Sequence, residues 1–407
     1  MEKVIERFLH YVNFDTQSVD GAETVPSTEK QFVLADALAD EMKEMGISNV
    51  RVDEHAYVYG EIPGNLVSDD VFSLGFIAHM DTSDAASGAD VKPQIIENYQ
   101  GGPIRLNDEI TIDPELSKEL HDYIGQDLIV TDGKTLLGSD DKAGIAEIMT
   151  LAERLLTDDT IKHGKICIAF TPDEEVGRGT DFFDVEGFGA DFAYTVDGGH
   201  IGELEYENFN GALAVVNIKG MDIHPGSAKN VMQNAIHIGM EFNMMLPQEQ
   251  RPEHTEGHEG FFHLIHFEGE VGETKMVYLI REHDWDKYEQ KKAVMTAAAA
   301  YINAKYGDML QLEIQDGYRN MKEMILPHMH LIDDAKAAFE TCGVEPKVVP
   351  IRGGTDGATL SFMGLPCPNL STGGENFHSV REYIPVQSMT KMVDVLTELV
   401  RISYTEL

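Results

Sequence analysis

Several short segments of the chain carry histidine and carboxylate side chains of the kinds that bind zinc. They are His79-Met80-Asp81, Asp140-Asp141, Glu174-Glu175, Asp197-Gly198 and the late segment ending in His378. A catalytic zinc ion takes imidazole nitrogens and carboxylate oxygens and leaves a position for water. Two such ions, roughly 3.5–4 Å apart, share a bridging carboxylate and a water whose pKa falls towards neutrality. A further carboxylate must then accept the proton from that water, so these residue types predict a two-metal hydrolytic site.

Taken singly, each of these segments also has a purely structural explanation. The Asp140-Asp141 pair suits a helix N-terminus, Asp197-Gly198 resembles a turn, and a lone histidine is more often structural than a ligand. What sets the segments apart is their common position beside predicted strand ends, where open α/β sheets place their sites. Other catalytic signatures are missing, because the sequence has neither HExxH nor GxSxG, and no GxGxxG follows a strand.

A sheet is needed to bring these segments together. Apolar runs predict buried strands at 71–78, 128–130, 166–170 and 192–196. The segment 142–156, between the second and third of these strands, predicts a helix. Buried strands that alternate with helices are typical of an α/β fold with a mixed, largely parallel sheet and helices on both faces.

The pattern changes near residue 208. The predicted order becomes strand, helix, two strands, helix and strand, over 213–219, 228–245, 261–268, 275–280, 286–306 and 310–314. This is the order of a ferredoxin-like α+β domain. The sequence therefore predicts a catalytic domain formed by 1–207 and 318–407, interrupted by an inserted domain at 208–317.

The composition narrows the class of protein. Among 407 residues, 71 acids oppose 31 bases, and the formal net charge of −40 disfavours nucleic acid and anionic membranes. The N-terminus carries Glu2 and Glu6 where a signal peptide needs a basic start, and no apolar run of about 18 residues occurs. The three cysteines form no CxxC pair. We therefore expect a cytoplasmic protein.

The sequence contains, in this order, the motifs HMDT, LLGSDDKAG, FTPDEEVG, YTVDGG and GGxNxH. In order and spacing they resemble the M20 family of dinuclear zinc peptidases, and the resemblance extends over essentially the whole chain. It implies a zinc-peptidase-like α/β domain, and it implies that the inserted segment is a lid and dimerisation domain that makes a homodimer.

The resemblance also implies which residues hold two zinc ions per subunit, with cobalt or manganese as possible substitutes. His79 and Asp197 correspond to the ligands of one ion. Glu175 and His378 correspond to the ligands of the other. Asp140 corresponds to the carboxylate that bridges both.

Other residues correspond to groups that act beside the metals. Glu174 resembles the general base that activates the bridging water, and Asp81 resembles the carboxylate that orients His79. A helix-capping role suits Asp141. His224, in the segment IHPGSAK, resembles a histidine that stabilises the oxyanion, often from the partner subunit, although it also fits a plain turn before Pro225.

Two arginines are candidates for binding the carboxylate of a peptide. A guanidinium group binds a carboxylate through two parallel hydrogen bonds, and Arg281 and Arg352 are candidates for this contact or for structural ion pairs.

The activity implied by the resemblance is an aminopeptidase that releases the first residue of tripeptides, using a zinc-bridged hydroxide and a Glu general base. The alternatives are a dipeptidase, a carboxypeptidase or an N-acyl amino acid deacylase with the same metal centre, or a non-catalytic binding protein on the same fold.

Overall fold

The computed structural model describes residues 2–66 and 71–405. They pack as two compact units. The first consists of Met1–Tyr206, Glu323–Val349 and Thr355–Leu407, and the second consists of Glu207–Lys322 and Pro350–Gly354. The second unit thus runs a few residues past the predicted boundary at 317 and includes a short return segment at 350–354.

The helices and strands alternate through most of the chain. The helices are α1 (Lys3–Tyr11), α2 (Gln31–Met45), α3 (Ser139–Thr157), α4 (Val185–Phe188), α5 (Ala235–Met245), α6 (Trp285–Tyr306), α7 (Lys322–Ile325), α8 (His330–Thr341), α9 (Asp356–Phe362) and α10 (Val386–Ser403). The strands are β1 (Ser48–Val52), β2 (Val58–Ile62), β3 (Leu74–His79), β4 (Gln94–Ile96), β5 (Ile104–Arg105), β6 (Thr111–Ile112), β7 (Leu128–Val130), β8 (Ile166–Thr171), β9 (Phe192–Gly198), β10 (Glu203–Glu205), β11 (Asn210–Lys219), β12 (Phe261–Gly269), β13 (Glu273–Glu282), β14 (Leu310–Asp316), β15 (Lys347–Val348), β16 (Asn369–Ser371) and β17 (Ile384–Pro385).

The first unit is built on a mixed sheet with the strand order β1-β2-β8-β3-β9-β16-β10-β15. Its central strands are parallel, because β3 pairs in parallel with both β8 and β9, and β16 pairs in parallel with β9. Every residue of β3 and β8 is buried, which explains their continuous apolar runs. The predicted α/β class with a largely parallel sheet is confirmed.

The parallel register brings the carboxyl ends of the central strands to one edge. His79 at the end of β3 lies opposite Thr171 at the end of β8, and Gly198 at the end of β9 lies opposite Ser371 of β16. The predicted strand at 71–78 is shifted, since β3 ends on His79 itself. His79, the Glu174-Glu175 pair and Asp197 therefore lie at or just beyond the same edge of the sheet, whereas Asp140 follows β7, which belongs to a separate three-stranded sheet β17-β7-β4 and not, as predicted, to the main sheet.

The second unit has an antiparallel sheet in the order β12-β13-β11-β14. Two helices, α5 and α6, connect these strands in the ferredoxin-like order predicted from the sequence. The prediction of a helix over 228–245 was too long at its start, because α5 begins at Ala235. The Asn234 side chain caps α5 by accepting hydrogen bonds from the N–H groups of Ile236 and His237.

The helix ends follow local chemistry elsewhere as well. Helix α2 ends where Gly46 adopts a left-handed conformation with a φ of 89°. Within residues 2–66 and 71–405, no helix combines the length and the apolar content that crossing a lipid bilayer requires.

Candidate active site

His79 is held rigidly at the carboxyl end of β3. Its side chain is 2% exposed, and its Nδ1 lies 3.0 Å from the main-chain oxygen of Asp81 and 3.3 Å from the Asp81 carboxylate. These contacts leave Nε2 facing two other carboxylates, at 2.9 Å from Asp140 and 3.2 Å from Asp197. An imidazole fixed through one nitrogen and surrounded by acids at the other has the arrangement of a metal ligand.

Asp140 lies between the two candidate histidines. Its Oδ1 is 2.9 Å from His79 Nε2, and its Oδ2 is 3.0 Å from His378 Nε2. The same nitrogen of His378 lies 2.9 Å from Glu175. The five predicted ligands, His79, Asp140, Glu175, Asp197 and His378, are thus brought together in the first unit, with Asp140 at their centre.

Asp141 has a different role from its neighbour. It is fully buried, its Oδ1 accepts the N–H of Gly144, and its Oδ2 accepts the N–H of His79. The dihedral angles of Asp140 and Asp141 are not helical, so Asp141 caps the regular part of α3 from inside its first turn. It also ties α3 to the end of β3, and it lies close enough to His79 and Asp197 to share a metal with them.

The carboxylate of Asp81 orients the two neighbouring glutamates. It is fully buried and accepts the backbone N–H of Glu174 at 3.0 Å and that of Glu175 at 3.2 Å. Asp173 precedes them with a φ of 53° and is itself held by Ser27 and by a nearby glutamine. No described residue donates a hydrogen bond to the Glu174 carboxylate. The turn is therefore fixed by its main chain, and this carboxylate is available to move a proton.

Burial and the crowding of like charges raise the pKa values of several carboxylates of this site, and the carboxylates in turn raise the pKa of His79. Burial and Asp140 raise the pKa of Glu175 to about 7, and burial raises that of Asp197 to about 6 against the influence of His79. Burial followed by the charge of Asp197 raises the pKa of Glu174 well above its ordinary value. Burial opposes charging of His79, but the surrounding carboxylates raise its pKa overall.

The donor set fits divalent cations. Ligand atoms of His79, Asp140 and Glu175 lie within 4.8 Å of one another, as do those of His79, Asp141 and Asp197. Two imidazoles among several buried carboxylates make the mixed nitrogen and oxygen environment that zinc prefers. The raised pKa values express an excess of negative charge that bound cations would offset.

The sequence did not indicate two further acids near this cluster. Asp356 begins α9, is 7% exposed and accepts a 2.9 Å hydrogen bond from Thr171 Oγ1. Burial raises its pKa to about 7, and the charge of Asp197 adds to this effect. The second acid is Glu382, which follows His378 by a few residues. The signal for Asp356 was its place after Thr355 at a helix start, which is too common to single it out.

His224 and the two candidate arginines belong to the second unit. His224 is exposed, and its Nδ1 accepts the N–H of Gly226 at 3.1 Å in a turn. Arg281 donates to two main-chain oxygens and lies 5.0 Å from the ring centroid of Tyr318. Arg281 and Tyr318 line a pocket of about 320 Å³ together with Gln315. The roles of His224 and Arg281 stay predictions.

Arg352 is engaged by the protein itself. Its two terminal nitrogens donate to the main-chain oxygens of Gly257, Glu259 and Thr255, and to the Thr255 hydroxyl. The guanidinium group also lies 5.2 Å from the ring of Phe209. These contacts give Arg352 a structural role in fastening the loop at 255–259, through main-chain oxygens and a hydroxyl and not through the ion pair that the sequence suggested.

Comparison with known proteins places this geometry in context. Residues 131–402 match the sequence profile of a family described as Peptidase family M20/M25/M40. The chain is 55% identical over 405 residues to a protein named Peptidase T from Clostridium novyi (strain NT), with 99% of each chain covered.

Solved structures resemble the chain over nearly its full length. Aminopeptidase PepT from Bacillus cereus ATCC 10987 has a TM-score of 0.78 at 24% identity, covering 98% of each chain. The YxeP protein of Bacillus subtilis, a dinuclear metal binding peptidase from the M20 family, has a TM-score of 0.67 at 14% identity, covering 99% of this chain and 98% of that one. At these identities the two structures establish a shared fold.

Proposed function

Since the chain belongs to peptidase family M20/M25/M40, we propose that it is a metal-dependent aminopeptidase that releases the N-terminal residue of tripeptides. The observation that carries the proposal is the position of Asp140, whose two oxygens face His79 and His378 at 2.9 and 3.0 Å. A carboxylate that faces one imidazole with each oxygen is suited to bridge two cations.

The proposed cofactor is a pair of zinc ions, with cobalt or manganese as substitutes. His79 and Asp197 would hold one ion, Glu175 and His378 the other, and Asp140 both. When bound, such ions polarise the scissile carbonyl group and lower the pKa of a water molecule held in the site.

Glu174 is proposed to move the proton. Its backbone is fixed by Asp81, and its raised pKa makes its carboxylate a stronger base than an ordinary glutamate, which suits it to accept a proton from water and to return it to the leaving amine. Asp81 acts indirectly, because its carboxylate orients both His79 and the turn that carries Glu174. We propose that His224 stabilises the oxyanion.

To select peptides of three residues, the site must contact both ends of the peptide. We propose that Arg281 binds the C-terminal carboxylate, since Arg352 already uses its terminal nitrogens on a loop. A homodimer formed through residues 208–317 and a cytoplasmic location complete the proposal. Light scattering coupled to gel filtration tests the homodimer.

A substrate panel tests the activity. The zinc-loaded protein is given Ala-Ala-Ala, Ala-Ala, Ala-Ala-Ala-Ala and N-acetyl-Ala-Ala-Ala, and the released products are identified by mass spectrometry. We expect preferential release of alanine from the free tripeptide. Preferential cleavage of the acetylated peptide would instead indicate a deacylase or carboxypeptidase, and no cleavage with both metal sites filled would indicate a binding protein.

A further inference from the structure

Glu382 is a buried acid that the proposed reaction does not use. Its side chain is 1% exposed, and it lies in the segment that follows His378. A buried carboxylate needs either a cation or several hydrogen bonds to remain in place. Among the described residues, the hydrogen bonds to the Glu382 carboxylate all come from residues 137–140.

The loop surrounds the Glu382 carboxylate with donors. Oε2 accepts the N–H groups of Leu137 at 2.8 Å and Gly138 at 3.0 Å. Oε1 accepts the N–H of Ser139 at 2.6 Å, the Ser139 hydroxyl at 2.5 Å and the N–H of Asp140 at 3.1 Å. Gly138 allows this path because its φ is 82°. Successive N–H groups that converge on one anion form a backbone nest, and here the anion comes from the protein.

The segment that carries Glu382 is itself closed into a loop. The main chains of Glu375 and Tyr383 exchange two hydrogen bonds, at 2.9 and 3.1 Å, across the ends of residues 375–383. Inside this loop His378 has a φ of 57°, a left-handed conformation that the surroundings must hold in place. From this loop His378 contacts the Asp140 side chain, while Glu382 contacts the Asp140 main chain.

We propose that Glu382 is a positioning residue that fixes Asp140 between His79 and His378. One closed loop then sets both the distance from His378 to the bridging carboxylate and the direction in which that carboxylate points. Breaking the contact would leave the ligands present but misplaced. The inference rests on the proposed metal centre and adds to it the residue that holds its central ligand.

Two substitutions test this role. Glu382→Gln keeps the size of the side chain but places an NH₂ group against N–H donors that now face an oxygen. Ser139→Ala removes only the hydroxyl bond to Glu382 and is the milder change. Asp191→Asn is the matched control, because Asp191 accepts the N–H of Ser73 at 2.7 Å before the start of β9, at the opposite edge of the sheet.

The measurements are the zinc dissociation constants of both sites, by chelator competition, and the visible absorption spectrum of the cobalt-loaded protein. Thermal unfolding of the metal-stripped variants reports folding separately. We expect Glu382→Gln to bind zinc about 10- to 100-fold more weakly and to alter the cobalt spectrum. Ser139→Ala should show a smaller change in the same direction, and Asp191→Asn should match the wild type.

A purely structural role would give a different result. If Glu382→Gln unfolds at a lower temperature but keeps the zinc affinity and cobalt spectrum of the wild type, the proposal is overturned. If that variant does not fold, Ser139→Ala decides, because wild-type metal binding in it would also overturn the proposal. Failure of the wild type to bind two ions would overturn the metal centre itself, and with it this role for Glu382.

Discussion

Glu205 offers a test of the electrostatics around the site that does not require any substrate. Its carboxylate accepts a 2.7 Å hydrogen bond from Asn369 Nδ2, and Asn369 Oδ1 in turn accepts the N–H of Asp197. Burial raises the pKa of Glu205 from 4.5 to about 8 against the effect of Asn369, and the charges of Glu203 and Asp197 add to the rise. The folded protein therefore holds a proton on Glu205 at neutral pH.

The free-energy consequence follows from the two pKa values. A group whose pKa is higher in the folded state contributes stability below its unfolded pKa and loses it as the pH rises through the folded value. For Glu205 the loss occurs between about pH 4.5 and pH 8. Each pKa unit corresponds to about 1.4 kcal/mol, so the rise from 4.5 to about 8 corresponds to about 5 kcal/mol. Glu205 is only partly buried, so solvent screening reduces this figure. We therefore expect ionisation of Glu205 to lower the free energy of unfolding by about 2–4 kcal/mol.

The substitution Glu205→Gln mimics the protonated acid and cannot ionise. We expect it to leave the free energy of unfolding nearly unchanged at about pH 4.5, and to raise it by about 2–4 kcal/mol at about pH 9. The measurement is urea unfolding of the metal-stripped protein at both pH values, followed by circular dichroism. Removing the metals keeps their own pH-dependent binding out of the comparison.

Glu207 provides a control of opposite sign. Despite burial, hydrogen bonds from His258 and Lys322 lower its pKa. Glu207→Gln should therefore destabilise the protein at neutral pH, with a smaller effect near pH 4.5, because the ionised form is the stabilised one. Equal effects of Glu205→Gln at both pH values, or a loss of stability at the higher pH, would refute the assignment of a neutral Glu205.

Three further predictions concern the proposed site and its supports. Glu174→Gln should lower kcat for a tripeptide about 10²- to 10⁴-fold with normal metal content, and retained activity would exclude its role as the base. Asp81→Asn should weaken zinc binding or activity about 10- to 100-fold, as measured by chelator competition and tripeptide turnover, and wild-type values would contradict its orienting role. Gly144→Ala should destabilise the protein by more than about 2 kcal/mol in urea unfolding, because a Cβ there would lie 2.0 Å from the main-chain oxygen of Val196. Gly272→Ala, which meets no atom within 4 Å, is its control and should cost less than about 1 kcal/mol.

The sequence predicted best what is encoded locally. His79, Glu175 and Asp197 stand at or just after apolar runs, and a parallel sheet brings the ends of such runs to one edge. Helix α6 lies within one residue of its predicted range 286–306, because the Asp284 side chain caps it directly before that range. The start of α5 was missed for the converse reason: the residues before Asn234 are compatible with a helix, but the cap lies at Asn234 itself.

Residues that act through distant contacts were not predicted. Asp356 is 185 positions from Thr171, which donates to it, and Glu382 is 242 positions from Asp140. No spacing rule links such pairs, because the packing of the whole unit decides which acid meets which loop. Arg352 shows the same limit, since its pairing with main-chain oxygens of the second unit left no mark in the sequence.

The buried acids of this strongly acidic chain differ in whether a cationic side chain of the protein pairs with them. Glu207 has Lys322 at 2.9 Å, and Glu282 has Lys291 at 3.6 Å, so each of these buried acids is offset by a cation of the protein. In the part of the chain that the structure describes, the ion pairs of Asp140, Glu175 and Asp197 are made only with histidines.

An imidazole carries its charge only when protonated, and a protonated imidazole cannot bind a metal. The positive charge that these carboxylates lack is therefore best supplied from outside the chain, and divalent ions bound to neutral histidines supply it. Loading with zinc should accordingly release protons from the site, and their number, measured by calorimetry in buffers of different ionisation enthalpy, should exceed zero near neutral pH. Zinc binding without proton release would contradict the view that the two histidines and the crowded acids hold protons that the metals displace.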